Sequence, residues 1–176
     1  MPERYDSVAK SLHWLMALLI IGLIAVGAVM EDLPKGDFRN QVFGIHKAIG
    51  VIALALVVLR LGWRGTRGAP ALPADMPARE QLFAKLGHMA LYLLMVLAPI
   101  AGILMSQSGG RPVVVLGWTL PVLIGKDEAL HEVFEGLHGL TTWGLAALVA
   151  LHAAAAFRHH FMLKDDILRR MLPGRG

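Results

Sequence analysis

The segment Gly136–His160 (GLHGLTTWGLAALVALHAAAAFRHH) decides the fold, because this apolar run is long enough to cross a membrane and carries paired histidines. His138 and His152 are 14 residues apart. At about 100° per residue they leave one face of a helix to within about 40°, and at about 1.5 Å per residue they lie roughly 21 Å apart along its axis. This spacing puts one imidazole near each surface of a hydrocarbon core about 30 Å thick.

The composition is that of a membrane protein. Of the 176 residues, 56% are hydrophobic and 17% are charged, whereas soluble domains average about 45–50% apolar and about 25% charged residues. We therefore predict an all-α bundle of four transmembrane helices in a single domain, residues 1–176, with spans at about 12–30, 46–62, 87–105 and 137–160. The first run is long for a signal-peptide core and precedes three further spans, so a cleaved leader is not expected.

Several kinds of site are excluded by the residues and motifs that the sequence lacks. There is no cysteine, so disulfides, iron–sulfur clusters and thiolate metal sites are excluded. No GxGxxG or Walker pattern indicates a nucleotide site. The net charge of +4 does not indicate a nucleic-acid partner, because the basic residues lie in loops between apolar runs.

The distribution of lysine and arginine predicts the orientation in the membrane. Twelve of them, Arg60 and Arg175 included, lie on the side of the amino-terminal arm, the 64–86 connection and the tail, and five lie on the other side. Because basic residues are retained in the cytoplasm, we expect both termini there. The apolar stretch 113–124 is too short to cross, and we expect it to lie at the interface or to fold over the bundle.

This topology sorts the histidines into an outer layer, His46 and His138, and an inner layer, His13, His88 and His152. One histidine at a helix end is often only interfacial, but ionisable residues inside spans are rare and usually functional. Layers of paired imidazoles favour bis-histidine ligation of iron in two b-type haems, which leaves no open iron position and suits electron transfer. A structural zinc site is disfavoured because it needs four ligands in one place.

The residue one turn after each histidine indicates which imidazoles have room for a macrocycle beside them. Four histidines are followed by small residues, whereas His88 is followed by the bulky Tyr92. We therefore predict that His13 pairs with His152 and His46 with His138, and that His88 is the second choice for the inner haem. The small residues are Ala17, Gly50, Thr142 and Ala156.

Four motifs resemble the bacterial cytochrome b561 proteins, a family of small four-helix, dihaem cytochromes of the inner membrane. The motifs are KSLHW around His13, GIHKAIG around His46, LGHMALYLL around His88 and LHAAAAFRHHFMLKDDILRRM around His152. The resemblance covers nearly the whole chain and implies haem ligation by His13 with His152 and by His46 with His138. Some members resemble superoxide oxidases, which implies superoxide as the electron donor and ubiquinone as the acceptor.

Further polar residues are candidates for the two ends of this reaction. His159 lies on the face of His152 within about 20° and roughly 10 Å nearer the cytoplasm, so it is a candidate for quinone binding together with Arg158. A basic cluster that anchors the helix to anionic lipid is the alternative interpretation. His160 is a weaker candidate for the quinone site.

Anionic groups of a haem, or an anionic substrate, need cationic partners. The candidates are Lys47 and Arg111 on the outer side and Arg158 on the inner side. The alternative interpretation, which is equally good, is that these long side chains only extend their charges to the membrane surface. We expect His131 to be solvent-exposed, since no partner for it is visible.

Two other functions stay open from the sequence. The same helical core occurs in the cytochrome b subunits of nickel–iron hydrogenases and formate dehydrogenases, so the chain is alternatively an anchor subunit that relays electrons between such a partner and quinone. The apolar loop around Trp118 then supplies a docking surface. The second alternative is a non-redox four-helix transporter or structural membrane protein. Lipid and the quinone pool are the expected partners, and a homodimer is not decided.

Overall fold

The computed structural model describes residues 4–73 and 76–172, and four long helices make up most of it. Each of the four is long and apolar enough to cross a membrane. This finding confirms the predicted helical class and its four spans. The helices are α1 Ser7–Val29, α2 Asp37–Arg67, α3 Ala78–Ser108 and α4 Glu128–Phe157.

Two shorter helical turns continue these helices. A 3₁₀ turn, Met30–Asp32, follows α1, and a π-helical turn, Arg158–Leu163, follows α4. We use "outer" for the end of the bundle where α1 leads into α2, and "inner" for the end where α2 leads into α3.

Aspartates cap the amino ends of α1 and α4. The carboxylate of Asp6 accepts the backbone N–H of Ala9 at 2.9 Å, and that of Asp127 accepts the N–H of Leu130 at 2.9 Å. Each bond satisfies an amide that the first helical turn leaves free. The Ala9 amide, followed by the indole N–H of Trp63, lowers the pKa of the Asp6 carboxyl.

The helices α2 and α3 are longer than the spans predicted at 46–62 and 87–105. The former begins at Asp37 and ends at Arg67, and the latter runs from Ala78 to Ser108. Hydropathy measures contact with lipid, whereas a polar turn can continue a helix into water without any change in hydrogen bonding. The apolar pattern therefore identified the four long helices but not their ends.

The four helices pack as two pairs, α1 with α2 and α3 with α4, joined mainly by contacts between α2 and α3. Met16, Ile20, Val57 and Leu145 form the buried centre. Large apolar side chains elsewhere on the helices point outward, as is required of a surface that faces lipid.

The stretch 113–124 folds back over the outer end of the bundle, which was one of the two placements expected for it. It forms a small antiparallel hairpin of strands β1 Val114–Val115 and β2 Trp118–Thr119. The side chain of Gln107 holds the segment, because it donates to the carbonyl of Pro121 at 2.8 Å and accepts from the N–H of Leu123 at 2.9 Å. This hairpin is a small addition to the predicted all-α class.

The carboxy-terminal tail packs across the inner end of the bundle. The indole N–H of Trp14 donates to the carbonyl of Met171 at 2.9 Å, and the guanidinium of Arg170 donates to the carbonyl of Ala71 at 2.7 Å. The tail therefore ties α1 to the connection between α2 and α3. Arg175, which contributed to the predicted orientation, lies outside the described residues.

Candidate functional site

A cavity of about 670 Å³ opens among the outer halves of the helices. Its volume is typical of sites that hold a small molecule or cofactor. The predicted outer pair, His46 and His138, both line this cavity. Its deeper wall is apolar and includes Ile20, Ala53, Val57 and Leu145.

The ring of His138 is held by the neighbouring helix α3. Its Nδ1 lies 2.8 Å from the carbonyl oxygen of Ala98. Because a carbonyl only accepts, Nδ1 carries the hydrogen, and the lone pair is on Nε2, the tautomer that a metal-bound imidazole requires. A Cβ at Gly102 would lie 3.0 Å from Cε1 of His138, so the glycine leaves the space that the ring occupies.

His46 is placed in a related way by the other helix pair. A Cβ at Gly27 of α1 would lie 3.3 Å from Cε1 of His46. The Nδ1 of His46 is buried and has no hydrogen-bond partner among the described residues. Gly27 and Gly102 therefore make the same kind of room for the two outer imidazoles.

Buried polar atoms without a partner concentrate around this cavity. Arg39 Nε, His46 Nδ1 and Thr142 Oγ1 are three of the four such side-chain atoms in the described residues, and all three residues line the cavity. Unpaired buried polar atoms are costly and usually indicate a group that completes the site. The donor set, the cavity and these atoms fit a haem whose iron binds His46 and His138.

The charge of the cavity wall is positive. Among the residues that the structure describes, its lining includes four cationic residues and no aspartate or glutamate. Lys47, one of the predicted cations, donates to the carbonyl of Pro112 at 2.8 Å and to the hydroxyl of Ser106 at 3.2 Å. The other predicted cation, Arg111, has an exposed side chain at the cavity mouth. The cations are Lys35, Arg39, Lys47 and Arg111.

The expectation that His131 is solvent-exposed and without a partner was wrong. Its ring is half-buried, lines the outer cavity and places Nδ1 2.8 Å from the carbonyl oxygen of Met105. A Cβ at Gly109 would lie 3.1 Å from this ring. The partner is a backbone carbonyl of α3, and the residue types in a sequence do not indicate such a contact.

His131 repeats the placement of His138 one heptad further out. On α3, the carbonyl and the glycine that contact His131 are each seven residues after those that contact His138. On the antiparallel helix α4, His131 is seven residues before His138. We use "histidine seat" for such a set of a carbonyl, a glycine and a histidine. The two seats are Ala98–Gly102–His138 and Met105–Gly109–His131. The shared spacing of the glycine and histidine pairs is the sequence signal that could have identified the second seat.

The inner layer brings together the three histidines predicted for it. The ring centroids of His13 and His152 are 6.2 Å apart, and those of His88 and His152 are 5.4 Å apart. His152 is therefore the shared member, and both proposed partners lie beside it.

Arg60 also belongs to the inner layer, although sequence reasoning placed it among loop cations. Its Nη2 lies 3.2 Å from Nδ1 of His13, its Nε donates to the hydroxyl of Tyr92 at 3.0 Å, and its Nη1 donates to the carbonyl of Ala9 at 3.4 Å. Because a guanidinium only donates, Nδ1 of His13 is the acceptor, and the hydrogen of that ring is on Nε2. Arg60 follows His46 by 14 residues, the spacing that separates His138 from His152.

The two predicted quinone contacts lie in the π-helical turn after α4. Nδ1 of His159 is bonded to the carboxylate of Asp165, and the backbone N–H of Asp165 donates to the carbonyl of His159 at 3.3 Å. Arg158 forms an ion pair with Glu80 at 3.7 Å. The ring offset of about 20° between His152 and His159 assumed an α-helix, and it does not apply across the π turn.

His160 lies in the same turn and packs edge-on against Phe161, with ring centroids 4.8 Å apart. Its Nδ1 is buried and has no hydrogen-bond partner among the described residues. This histidine does not line the outer cavity.

We predict that Gly102→Ala displaces His138 and removes the outer haem. The added methyl overlaps the ring, and overpacking of this kind costs about 1–3 kcal/mol. The haem-to-protein absorbance ratio of the purified protein measures the loss. Gly22→Ala is the matched control, because its Cβ meets nothing within 4 Å. Full haem content in Gly102→Ala would contradict the importance of this seat.

Comparisons with known proteins agree with this architecture. The model of the prokaryotic cytochrome b561 family matches residues 4–174. Cytochrome b561 homolog 2 of Escherichia coli K12 is 36% identical over 174 residues, 97% of this chain and 92% of the relative. The probable superoxide oxidase CybB of Yersinia pestis is 29% identical over 175 residues, 98% of each chain. Cytochrome b562 of Cereibacter sphaeroides is 28% identical over 176 residues, 96% of this chain and 94% of the relative. The chain therefore belongs to the prokaryotic cytochrome b561 family.

Proposed function

We propose that this protein is a dihaem cytochrome b of the bacterial inner membrane that moves electrons from superoxide at its outer face to ubiquinone at its inner face. The observation that carries the proposal is the grouping of membrane histidines into an outer and an inner layer. Membership in the cytochrome b561 family implies b-type haem. Such a haem, when bound, supplies one-electron chemistry at its iron.

The outer haem has the better-defined protein environment. His46 of α2 and His138 of α4 would hold this haem, and the Ala98 carbonyl would keep Nε2 of His138 available for its iron. The apolar wall of the cavity excludes water, which strengthens every charge interaction inside it. These residues orient the group and tune it, while the redox chemistry is that of the haem.

The inner haem is assigned to His152 with His13, and His88 is the second choice. The separation of 6.2 Å between the His13 and His152 ring centroids is larger than the 5.4 Å between His88 and His152. Two imidazoles that bind one iron atom need a gap between their rings. The larger separation of His13 and His152 therefore supports this pair. Ligation through Nε2 of His13 requires its hydrogen on Nδ1, so the contact with Arg60 must rearrange when haem binds.

The outer cations favour an anionic electron donor. In the described part of the chain, four cationic residues and no acidic residue line the outer cavity. Two of these positive charges would balance the two carboxylates of one haem. The remaining positive charge raises the local concentration of a small anion such as superoxide and speeds its arrival. A relative whose printed name is probable superoxide oxidase agrees with this donor.

The inner end has a proton donor for quinone reduction. Asp165 accepts from Nδ1 of His159 and so leaves Nε2 to exchange a proton with a quinone oxygen. One ubiquinone takes up two electrons and two protons to form the quinol. Two superoxide anions are oxidised to dioxygen in the same cycle. Both termini are cytoplasmic in this proposal, so these protons come from the cytoplasm.

An anchor subunit of a larger redox complex is the second candidate. The outer hairpin favours it, because Leu116 and Trp118 are 87% and 81% exposed. Large apolar patches that are open to solvent often bind a partner protein. A protein that oxidises superoxide when purified alone disfavours this candidate.

We predict that the purified protein in liposomes shows a reduced-minus-oxidised b-type spectrum with two haems per chain. It should reduce one ubiquinone for every two superoxide anions consumed.

His138→Ala and His152→Ala should each remove one haem. His88→Ala should retain both, and loss of a haem in that variant would replace His13 by His88 as the inner ligand. A colourless protein would refute the whole proposal.

We predict that Lys47→Glu slows haem reduction by superoxide about tenfold at low salt, because it reverses a charge at the cavity wall. The measurement is the rate of haem reduction after a superoxide pulse, as a function of ionic strength. Lys47→Arg keeps the charge and should keep most of the rate. Lys85→Glu, an exposed site on the inner half of α3, is the control. An unchanged rate in Lys47→Glu at low salt would rule out steering by this lysine.

We predict that Asp165→Asn slows quinone reduction by about tenfold or more, because the amide no longer holds His159 as a proton donor. Haem reduction by superoxide should stay at the wild-type rate, which separates the two half-reactions. Asp166→Asn is the matched control, since Asp166 pairs with Arg170 at 2.9 Å and not with His159. Equal quinone rates in both variants would remove His159 and Asp165 from the quinone site.

A further inference from the structure

Arg60 is a cation inside the bundle whose contacts are all with uncharged groups. It lies near the inner end of α2 and is half-buried. Its three hydrogen-bond partners are the ring of His13, the hydroxyl of Tyr92 and the carbonyl of Ala9. Two of these bonds, to His13 and Tyr92, place the guanidinium beside the layer that holds His152.

Within residues 4–73 and 76–172, no carboxylate forms an ion pair with Arg60. The ion pairs in the described part of the chain involve Arg158, His159 and Arg170, and none includes Arg60. A guanidinium cannot be deprotonated in a protein, and a charge at this depth is costly without an anion beside it. The arrangement is explained if another group with negative charge belongs in the inner layer.

The position of Arg60 along α2 gives its depth. It follows His46 by 14 residues, so it lies on nearly the same face of α2 and roughly 21 Å further in. His152 follows His138 by the same spacing on α4. In the inner layer, α2 therefore presents an arginine at the level where α4 presents an iron ligand.

We propose that Arg60 is the charge partner of the inner haem and raises its reduction potential above that of the outer haem. This inference rests on the proposed dihaem function. Each reduction adds one negative charge at an iron, and a nearby fixed cation stabilises the reduced form. The haem carboxylates are also anions that a guanidinium binds well. A higher inner potential directs electrons inward, from the superoxide side to the quinone side.

The contact between Arg60 and His13 fits this role with either inner ligand. If iron binds Nε2 of His13, Nδ1 must carry a hydrogen and can no longer accept from Arg60. The guanidinium is then released within the same layer, where the haem carboxylates are its available anions. If iron binds His88 instead, the contact can persist, and the charge still lies beside the haem.

The test is a potentiometric titration of the two b-type components in Arg60→Gln, Arg60→Lys and wild-type protein. Arg60→Gln removes the charge but keeps a donor for Tyr92, and Arg60→Lys keeps the charge. Arg67→Gln is the matched control, because Arg67 lies on the same helix, is exposed and stacks on Trp63. Haem content is measured in parallel from the absorbance ratio.

We expect the equilibrium constant for reducing the inner relative to the outer haem to fall about tenfold in Arg60→Gln, which is about 59 mV for one electron. Arg60→Lys and Arg67→Gln should keep nearly the wild-type difference. Loss of one haem in Arg60→Gln with retention in Arg60→Lys also supports a charge partner. Unchanged potentials in Arg60→Gln, or equal haem loss in both Arg60 variants, would overturn the inference. A wild-type protein with a single haem would instead refute the dihaem proposal.

Discussion

The structure depends on how an imidazole is oriented between helices that are surrounded by lipid. Water is absent there, so each ring nitrogen must find its partner in the protein or in a bound group. His138 meets this constraint with a backbone carbonyl on Nδ1, and its ring lines the cavity. The close packing of α3 on α4 therefore determines which nitrogen is free, and it does so before any cofactor binds.

The outer and inner histidine layers differ in how their positive charges are placed. The outer cavity has several cations at its wall and mouth, where solvent moderates their cost. In the inner layer the guanidinium of Arg60 is held by neutral acceptors, beside a cluster of imidazole rings. A diffuse positive field suits the capture of a small anion, whereas a fixed charge acts mainly on the groups beside it.

The sequence was sufficient for the class of fold, since hydropathy encodes four long apolar helices, and it grouped His13, His88 and His152, which the structure brings together. It was not sufficient for Arg60 or His131. Their roles depend on which carbonyls and rings the neighbouring helices bring beside them, and such contacts leave no periodic pattern in one chain. The π turn that places His159 was also missed, because the residues of this turn differ little from those of an α-helix.

The two histidine seats on α3 and α4 have a consequence for redesign. Since their components recur every seven residues on antiparallel helices, the next repeat inward is defined as well: the carbonyl of Leu91, position 95 and position 145. Met95 and Leu145 now fill that level with apolar side chains of the core. Glycine and histidine at these positions would place an imidazole midway between His138 and His152, and the helix pair would become a scaffold for an additional metal ligand.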